Sequence, residues 1–190
     1  MDEQLYVKQV LSGNTSVFSY FVETYQEMAI TIAYRICGNM QDAEDVVQES
    51  FVKAYRNLHS FRADSKFSTW LYRIVYNTAV TLTKSKMWTS FHETDMENAA
   101  HLSANPIDIN IENSEQKEMV GEILQKMPKG DALLLTLYYM EDNPVKDIAK
   151  ITGLNESNVK VKLFRARKLF KEMLVRHYGQ TVEDQLLASS

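Results

Sequence analysis

Apolar residues recur at three-four spacing in one segment after another of this chain, and that period leaves room for little besides a helical fold. In residues 42–58, DAEDVVQESFVKAYRNL, the apolar set Ala43, Val46, Val47, Phe51, Ala54, Tyr55 and Leu58 forms a single stripe. Asp42, Asp45, Gln48 and Glu49 fall on other faces of the same helix. Few β-branched runs alternate, and three prolines and six glycines in 190 residues interrupt little. The fold class expected is therefore all-α. A chain of 190 residues has room for one large or two small domains, each burying a modest core. With 45% apolar and 24% charged residues it has the composition of a soluble globular protein.

The periodic segments have recognisable ends. Residues 15–37 are rich in aromatic and apolar groups and stop at Gly38-Asn39, a natural helix terminator. The polar stretch HSFRADSK separates residues 42–58 from a further helix expected from about Phe67 to Lys84. Periodicity is then lost over residues 87–113, which hold five acids, no Lys or Arg, many Asn and Pro106. This segment reads as a flexible acidic linker between two small helical domains. Helical pattern returns at Ser114, with Met119, Val120, Ile123, Leu124 and Met127 on one stripe and a turn at Pro128-Lys129-Gly130. Residues 133–140 are strongly apolar; Asn143-Pro144 has the form of an N-cap followed by proline at the first helical position. A short helix, VKDIAKIT, then ends at Gly153. The expected domains are 1–86 and 114–178, with the linker at 87–113 and a tail at 179–190.

Charge is partitioned along the chain. The formal net charge is −4, yet residues 153–173, GLNESNVKVKLFRARKLFKEM, carry six Lys or Arg. A short helix containing the small Ala149, a glycine turn and a second helix have the layout of a helix-turn-helix. At about 100° per residue, Val159, Leu163, Ala166 and Phe170 cluster on one face, the expected core face. Asn158, Val161, Lys162 and Arg165 cluster about 120° away, where Asn, Lys and Arg donate to phosphates and base edges and Val161 suits a thymine methyl. A basic amphipathic helix is often no more than a solvated face. Here the turn grammar, the paired short helix and the local charge excess favour major-groove DNA binding.

Other classes find less support. No apolar run approaches the ~20 residues of a membrane span, and MDEQLYVKQV lacks a signal peptide's layout, so no membrane insertion and a cytoplasmic location are expected. The single Cys37 allows no internal disulfide. His59, His92, His101 and His177 have neither metal-ligand nor triad spacing, and there is no phosphate-binding glycine loop. The expectation is a protein that is not an enzyme, with no catalytic residues, no cofactor and no metal.

DAEDVVQESFVKAYRNL followed by FRADSKFSTWLYRIVYN closely resembles region 2 of bacterial sigma factors of the extracytoplasmic-function group. DIAKITGLNESNVKVKLFRARKLF resembles region 4 of the same group. The resemblance covers residues 15–86 and 114–176, in the family's order. It implies an alternative sigma factor whose first domain docks on the clamp helices of core RNA polymerase and opens the −10 element. The second domain would read the −35 element as duplex and hold the polymerase flap, and promoter DNA would be the second partner. An anti-sigma factor is a common partner in the family, although no residue here identifies one.

On this resemblance Asp42, Asp45, Gln48 and Glu49 are the residues for core polymerase, an acidic surface suited to a basic partner helix. The residues alone leave open that these acids serve the helix dipole, and a carboxylate metal site is a third reading. For the single-stranded −10 element the candidates are Phe61, Arg62, Lys66, Ser68, Thr69, Trp70, Arg73 and Asn77, since aromatic and cationic groups stack on bases and hold the backbone. Phe67 and Trp70 also read as core residues, with the polar loop 62–66 touching the strand. For the −35 duplex the candidates are Ser157, Asn158, Lys160, Val161, Lys162, Arg165 and Lys168.

The chain departs from the family pattern in three places. After Asn77 the family usually continues with an aspartate and a basic cluster, whereas here Thr81, Leu82 and Thr83 precede Lys84 and Lys86. Fewer cations neutralise fewer phosphates, so duplex contact upstream of the −10 element is expected to be weaker. Lys162 stands where arginine is common and lacks its bidentate fork. Ser157-Asn158 replaces the usual Gly-Thr at the helix start. By analogy the linker would thread the channel later taken by RNA; a solvated tether explains its acidity equally well. The competing class is a regulator whose helical N-terminal domain senses a ligand or dimerises. It predicts stable duplex binding without polymerase, whereas a sigma factor binds weakly alone.

Overall fold

The computed structural model describes residues 3–83, 114–140 and 142–179, and among them all regular structure is helical, with no strand. The all-α expectation is met. The chain divides into two compact units, the first holding the N-terminal helices together with residues 149–153 and the second the other C-terminal segments. The linker expected at 87–113 lies outside the described residues, as do Lys84, Lys86 and the tail beyond Gly179.

The first unit contains α1 (Glu3–Leu11), a 3-10 turn (Thr15–Phe18), α2 (Ser19–Cys37), α3 (Met40–Arg56), a second 3-10 turn (Leu58–Ser60) and α4 (Phe67–Thr83). Helices α2, α3 and α4 pack against one another in all three pairings. The α2–α3 corner follows from two adjacent residues. Gly38 takes φ 85°, a left-handed conformation that costs glycine nothing, and its N–H closes on the Tyr34 carbonyl. Asn39 then caps α3, its side-chain oxygen accepting from the Asp42 N–H at 2.9 Å. The stripe read from residues 42–58 is the buried face: Ala43, Val46, Val47, Phe51, Ala54 and Leu58 are buried, and Tyr55 remains 41% exposed at its edge.

Aromatic rings fill much of this core. Phe21 and Phe67 are fully buried and stack with centroids 4.0 Å apart. Tyr76 is buried on α4, and desolvation holds its phenol above the ordinary tyrosine range. Helix α1 has no counterpart in the sequence reading. It is only nine residues long and is tied to α2 by the Tyr6–Tyr20 stack at 4.1 Å and by a hydrogen bond from the Tyr25 hydroxyl to Glu3.

The second unit contains α5 (Ser114–Lys126), α6 (Lys129–Tyr139) and α8 (Glu156–Tyr178), which pack pairwise, and α7 (Val145–Thr152) links α6 to α8 along the chain. The turn expected at Pro128-Lys129-Gly130 is shorter than read: Pro128 is the cap residue, and Gly130 lies buried inside α6. Asn143 does not cap α7. Its backbone N–H and its side-chain amide both donate to the Leu137 carbonyl, at 3.3 and 3.1 Å, closing the end of α6 instead. The Pro144 carbonyl accepts from the Asp147 and Ile148 N–H groups, so α7 begins one residue later than the proline pattern suggested.

Gly153, at φ 76°, ends α7 as read. Asn155 caps α8 by accepting from the Asn158 N–H at 2.7 Å, so the helix starts ahead of Ser157-Asn158. Polar contacts hold α8 to its neighbours. Arg167 donates to the Tyr139 hydroxyl at 2.9 Å and lies 4.9 Å from the Tyr138 ring centroid. Tyr178 donates to Glu122 on α5 at 2.7 Å, which lowers that carboxyl's pKa.

Candidate nucleic-acid interface

Helix α3 presents its polar residues unevenly. Asp45, Gln48 and Glu49 are exposed at i, i+3 and i+4 spacing, a continuous patch on the outer surface. Asp42 is partly drawn into the cap, its carboxylate accepting from the Asn39 side-chain amide at 2.8 Å. Glu49 also pairs with Lys53 one turn on, at 2.8 Å. Among the described residues no group of His, Cys, Asp and Glu has metal-site geometry.

Loop 61–66 leads from α3 into α4. Arg62 and Lys66 are exposed, and Arg62 lies only loosely against Asp64, 3.9 Å away. Between them Ala63 holds φ 58°, a left-handed conformation that costs a Cβ-bearing residue roughly 1–2 kcal/mol. Ala63→Gly is therefore expected to stabilise the first unit by about 0.5–1 kcal/mol, after allowing for glycine's greater freedom when unfolded. Urea unfolding checks this, and unchanged stability would mean that the loop carries no such strain.

The residues proposed for the single strand separate on α4. Arg73 and Asn77 are exposed, and Trp70 is half-buried, packed 5.4 Å from Phe61 and 5.5 Å from Phe67. Ser68 and Thr69 depart from expectation: they are 8% and 1% exposed. The cause is the packing of α4 against both α2 and α3, which buries the helix on most sides from its first turn. Phe67 is core, and Trp70 stands at the core's edge.

Beside Trp70 and Asn77 lies an open cavity of about 410 Å³ that the sequence reading did not anticipate. Its walls are Lys53, Asn57 and Ser60 from the end of α3 and the following turn, and Trp70, Ile74, Asn77, Thr78 and Thr81 from α4. The α4 set recurs at helical spacing and was visible as a polar-aromatic stripe. Its partners from α3 were not, because their proximity depends on how the two helices pair. The lining joins an indole, amides, hydroxyls and an ammonium, groups that stack on a base and donate to it or to its phosphate.

On α8 the expected core face is buried: Val159, Leu163, Ala166 and Phe170 are at most 1% exposed. The second face is only partly open. Asn158, Val161 and Lys162 are 9%, 3% and 8% exposed, whereas Ser157, Lys160, Arg165 and Lys168 face solvent. Burial on α8 extends beyond one stripe, and a wheel drawn for one core face misses it. Arg167, buried against Tyr138 and Tyr139, is a structural cation.

Comparisons with known proteins match both halves of the chain. The family model for sigma-70 region 2 matches residues 21–89 and that for sigma-70 region 4 matches residues 117–170. The chain is 33% identical over 181 residues to the RNA polymerase sigma-H factor of Pseudomonas aeruginosa, covering 91% of this chain and 93% of that protein. It is 31% identical over 182 residues to the ECF RNA polymerase sigma-E factor of Haemophilus influenzae, covering 92% and 96%. Among solved structures, CnrH in complex with the cytosolic domain of CnrY aligns with a TM-score of 0.63 at 24% identity, covering 91% of this chain and 97% of that one. The sigma factor RpoE of Bartonella quintana, in complex with the anti-sigma factor NepR, aligns at 0.60 and 19%, covering 85% and 98%.

Proposed function

The chain belongs to the extracytoplasmic-function group of sigma-70 factors, and from that membership we propose that it is an alternative initiation factor of bacterial transcription. It binds core RNA polymerase, recognises −10 and −35 promoter elements and directs initiation from them. The observation that carries this reading is the occurrence of region 2 and region 4 matches on one chain, in the family's order. As an initiation factor it has no catalytic chemistry of its own and works in the cytoplasm with the polymerase. An anti-sigma factor, the class of partner seen with the Bartonella RpoE, is proposed as its regulator.

The residues divide by task. Residues 1–86 form the polymerase and −10 domain, and residues 114–178 the −35 domain. Asp45, Gln48 and Glu49, with Asp42 at the patch's capped end, meet a basic helix of the polymerase clamp. Phe61, Arg62, Lys66, Trp70, Arg73 and Asn77 face the melted strand, while the buried Ser68 and Thr69 support the start of α4. Ser157, Lys160, Arg165 and Lys168 are the exposed residues of α8 for the −35 duplex. Asn158, Val161 and Lys162 belong to the same site but are closed to solvent here.

Reconstitution with core polymerase on genomic DNA, with mapping of transcript starts, tests the function. Starts sharing a −10 and a −35 sequence are expected only when both components are present. Failure to bind core polymerase at low salt would overturn the reading; tight duplex binding without polymerase would favour a regulator instead. Arg165→Ala is expected to weaken promoter binding by the holoenzyme by about 1–3 kcal/mol, the range for losing one base contact. A footprint unchanged over the −35 element would remove Arg165 from the site.

A further inference from the structure

Lys53 stands between two surfaces that the proposed function keeps separate. Its ammonium lies 2.8 Å from a Glu49 carboxylate oxygen and donates to the Thr78 hydroxyl at 3.1 Å. Glu49 belongs to the acidic patch of α3, whereas Lys53 and Thr78 line the cavity that also holds Trp70 and Asn77. An ammonium has three donors, and these two contacts occupy two of them. In the free chain the cavity's own cation is thus neutralised by a carboxylate of the polymerase-facing patch. The pair is half-exposed, with side chains 43% and 59% accessible, so little free energy resists an exchange of partners.

A basic helix docked on α3 competes for Glu49. Once that carboxylate is taken, Lys53 stays beside Thr78 at the cavity wall with its charge uncompensated. A phosphate of a strand entering the cavity is then the acceptor best able to use it.

We propose that Lys53 couples polymerase docking to strand capture: Glu49 holds its ammonium in the free chain and yields it to a phosphate of the single-stranded −10 element when polymerase engages Glu49. The inference rests on the sigma-factor reading of α3 and α4. It adds to that reading a strand-holding cation whose availability depends on the polymerase.

The test compares the full chain alone with the holoenzyme, using fluorescein-labelled single-stranded oligodeoxynucleotides of randomised sequence and fluorescence anisotropy. Lys53→Gln is expected to weaken binding by the holoenzyme roughly tenfold and to reduce the slope of log affinity against log salt by about 0.7, one phosphate's share on a single strand. The free chain's weaker binding is expected to fall by a smaller factor, about fivefold, because an exposed i,i+4 pair restrains Lys53 by only about twofold. Lys53→Arg, which keeps the charge, is expected to restore most of the affinity. In the free chain Glu49→Gln is expected to tighten strand binding about twofold, a gain that disappears when Lys53→Gln is added. Equal losses in free chain and holoenzyme would overturn the coupling, as would a Glu49→Gln gain that survives without Lys53. If the wild-type chain forms no complex with core polymerase, the sigma-factor reading fails before any variant is compared.

Discussion

Phe67→Ala is expected to destabilise the first unit by about 3–5 kcal/mol, the cost of removing a fully enclosed aromatic ring and leaving a cavity. Phe67 is 1% exposed, stacks on Phe21 at 4.0 Å and lies 5.5 Å from both Phe61 and Trp70. The substitution therefore removes the centre of a five-ring cluster, Tyr25 included, that also positions Trp70 beside the cavity. Because a domain of this size has only about 5–15 kcal/mol of stability, partial unfolding at physiological temperature is the expected outcome. Urea unfolding followed by circular dichroism measures it. The exposed Arg62→Ala is expected to stay within about 0.5 kcal/mol. A loss under 1 kcal/mol at Phe67 would mean that the ring is dispensable to the core.

Glu49→Lys is expected to reduce affinity for core polymerase by about a hundredfold while leaving the fold intact. The reversal places a cation in the acidic patch, opposite the basic helix proposed to meet it, and like charges juxtaposed at an interface cost several kcal/mol. Within α3 it also sets two lysines one turn apart, which costs only a few tenths of a kcal/mol on an exposed helix. Polymerase affinity and thermal midpoint are thus expected to part company. Wild-type affinity for core would remove Glu49 from the interface, and a matching loss of stability would make the residue structural.

The helices with long stripes and strong end signals were legible. For α3 and α4 the spacing of apolar residues, the Gly38-Asn39 corner and the polar break at 59–66 located the elements to within a few residues. Helix α1 was missed because nine residues with two buried valines give too short a period to stand out. Asn143-Pro144 was misplaced by one residue because the asparagine's strongest option was tertiary: its amide reaches back six residues to Leu137, and local capping grammar does not include that bond.

Burial was legible only where one face was core. Ser68 and Thr69 looked available by residue type, yet α4 packs on two helices and covers them. Lys162 and Asn158 looked available by position on a wheel, and they are covered too. The α4 half of the cavity was present in the sequence as a stripe, but its other half required knowing which turn of α3 lies opposite.

Arg167 gives α8 a further property. Fixed between Tyr138, Tyr139 and the core, this cation ties its position to the packing of α6, whereas Lys160, Arg165 and Lys168 are exposed. Changes at those three positions therefore leave the Arg167 contacts to Tyr138 and Tyr139 in place. Replacing Arg167 gives up both its hydrogen bond to Tyr139 and its place on the Tyr138 ring. One helix thus carries a cation locked into its mounting and a row of cations open to solvent within three turns of each other.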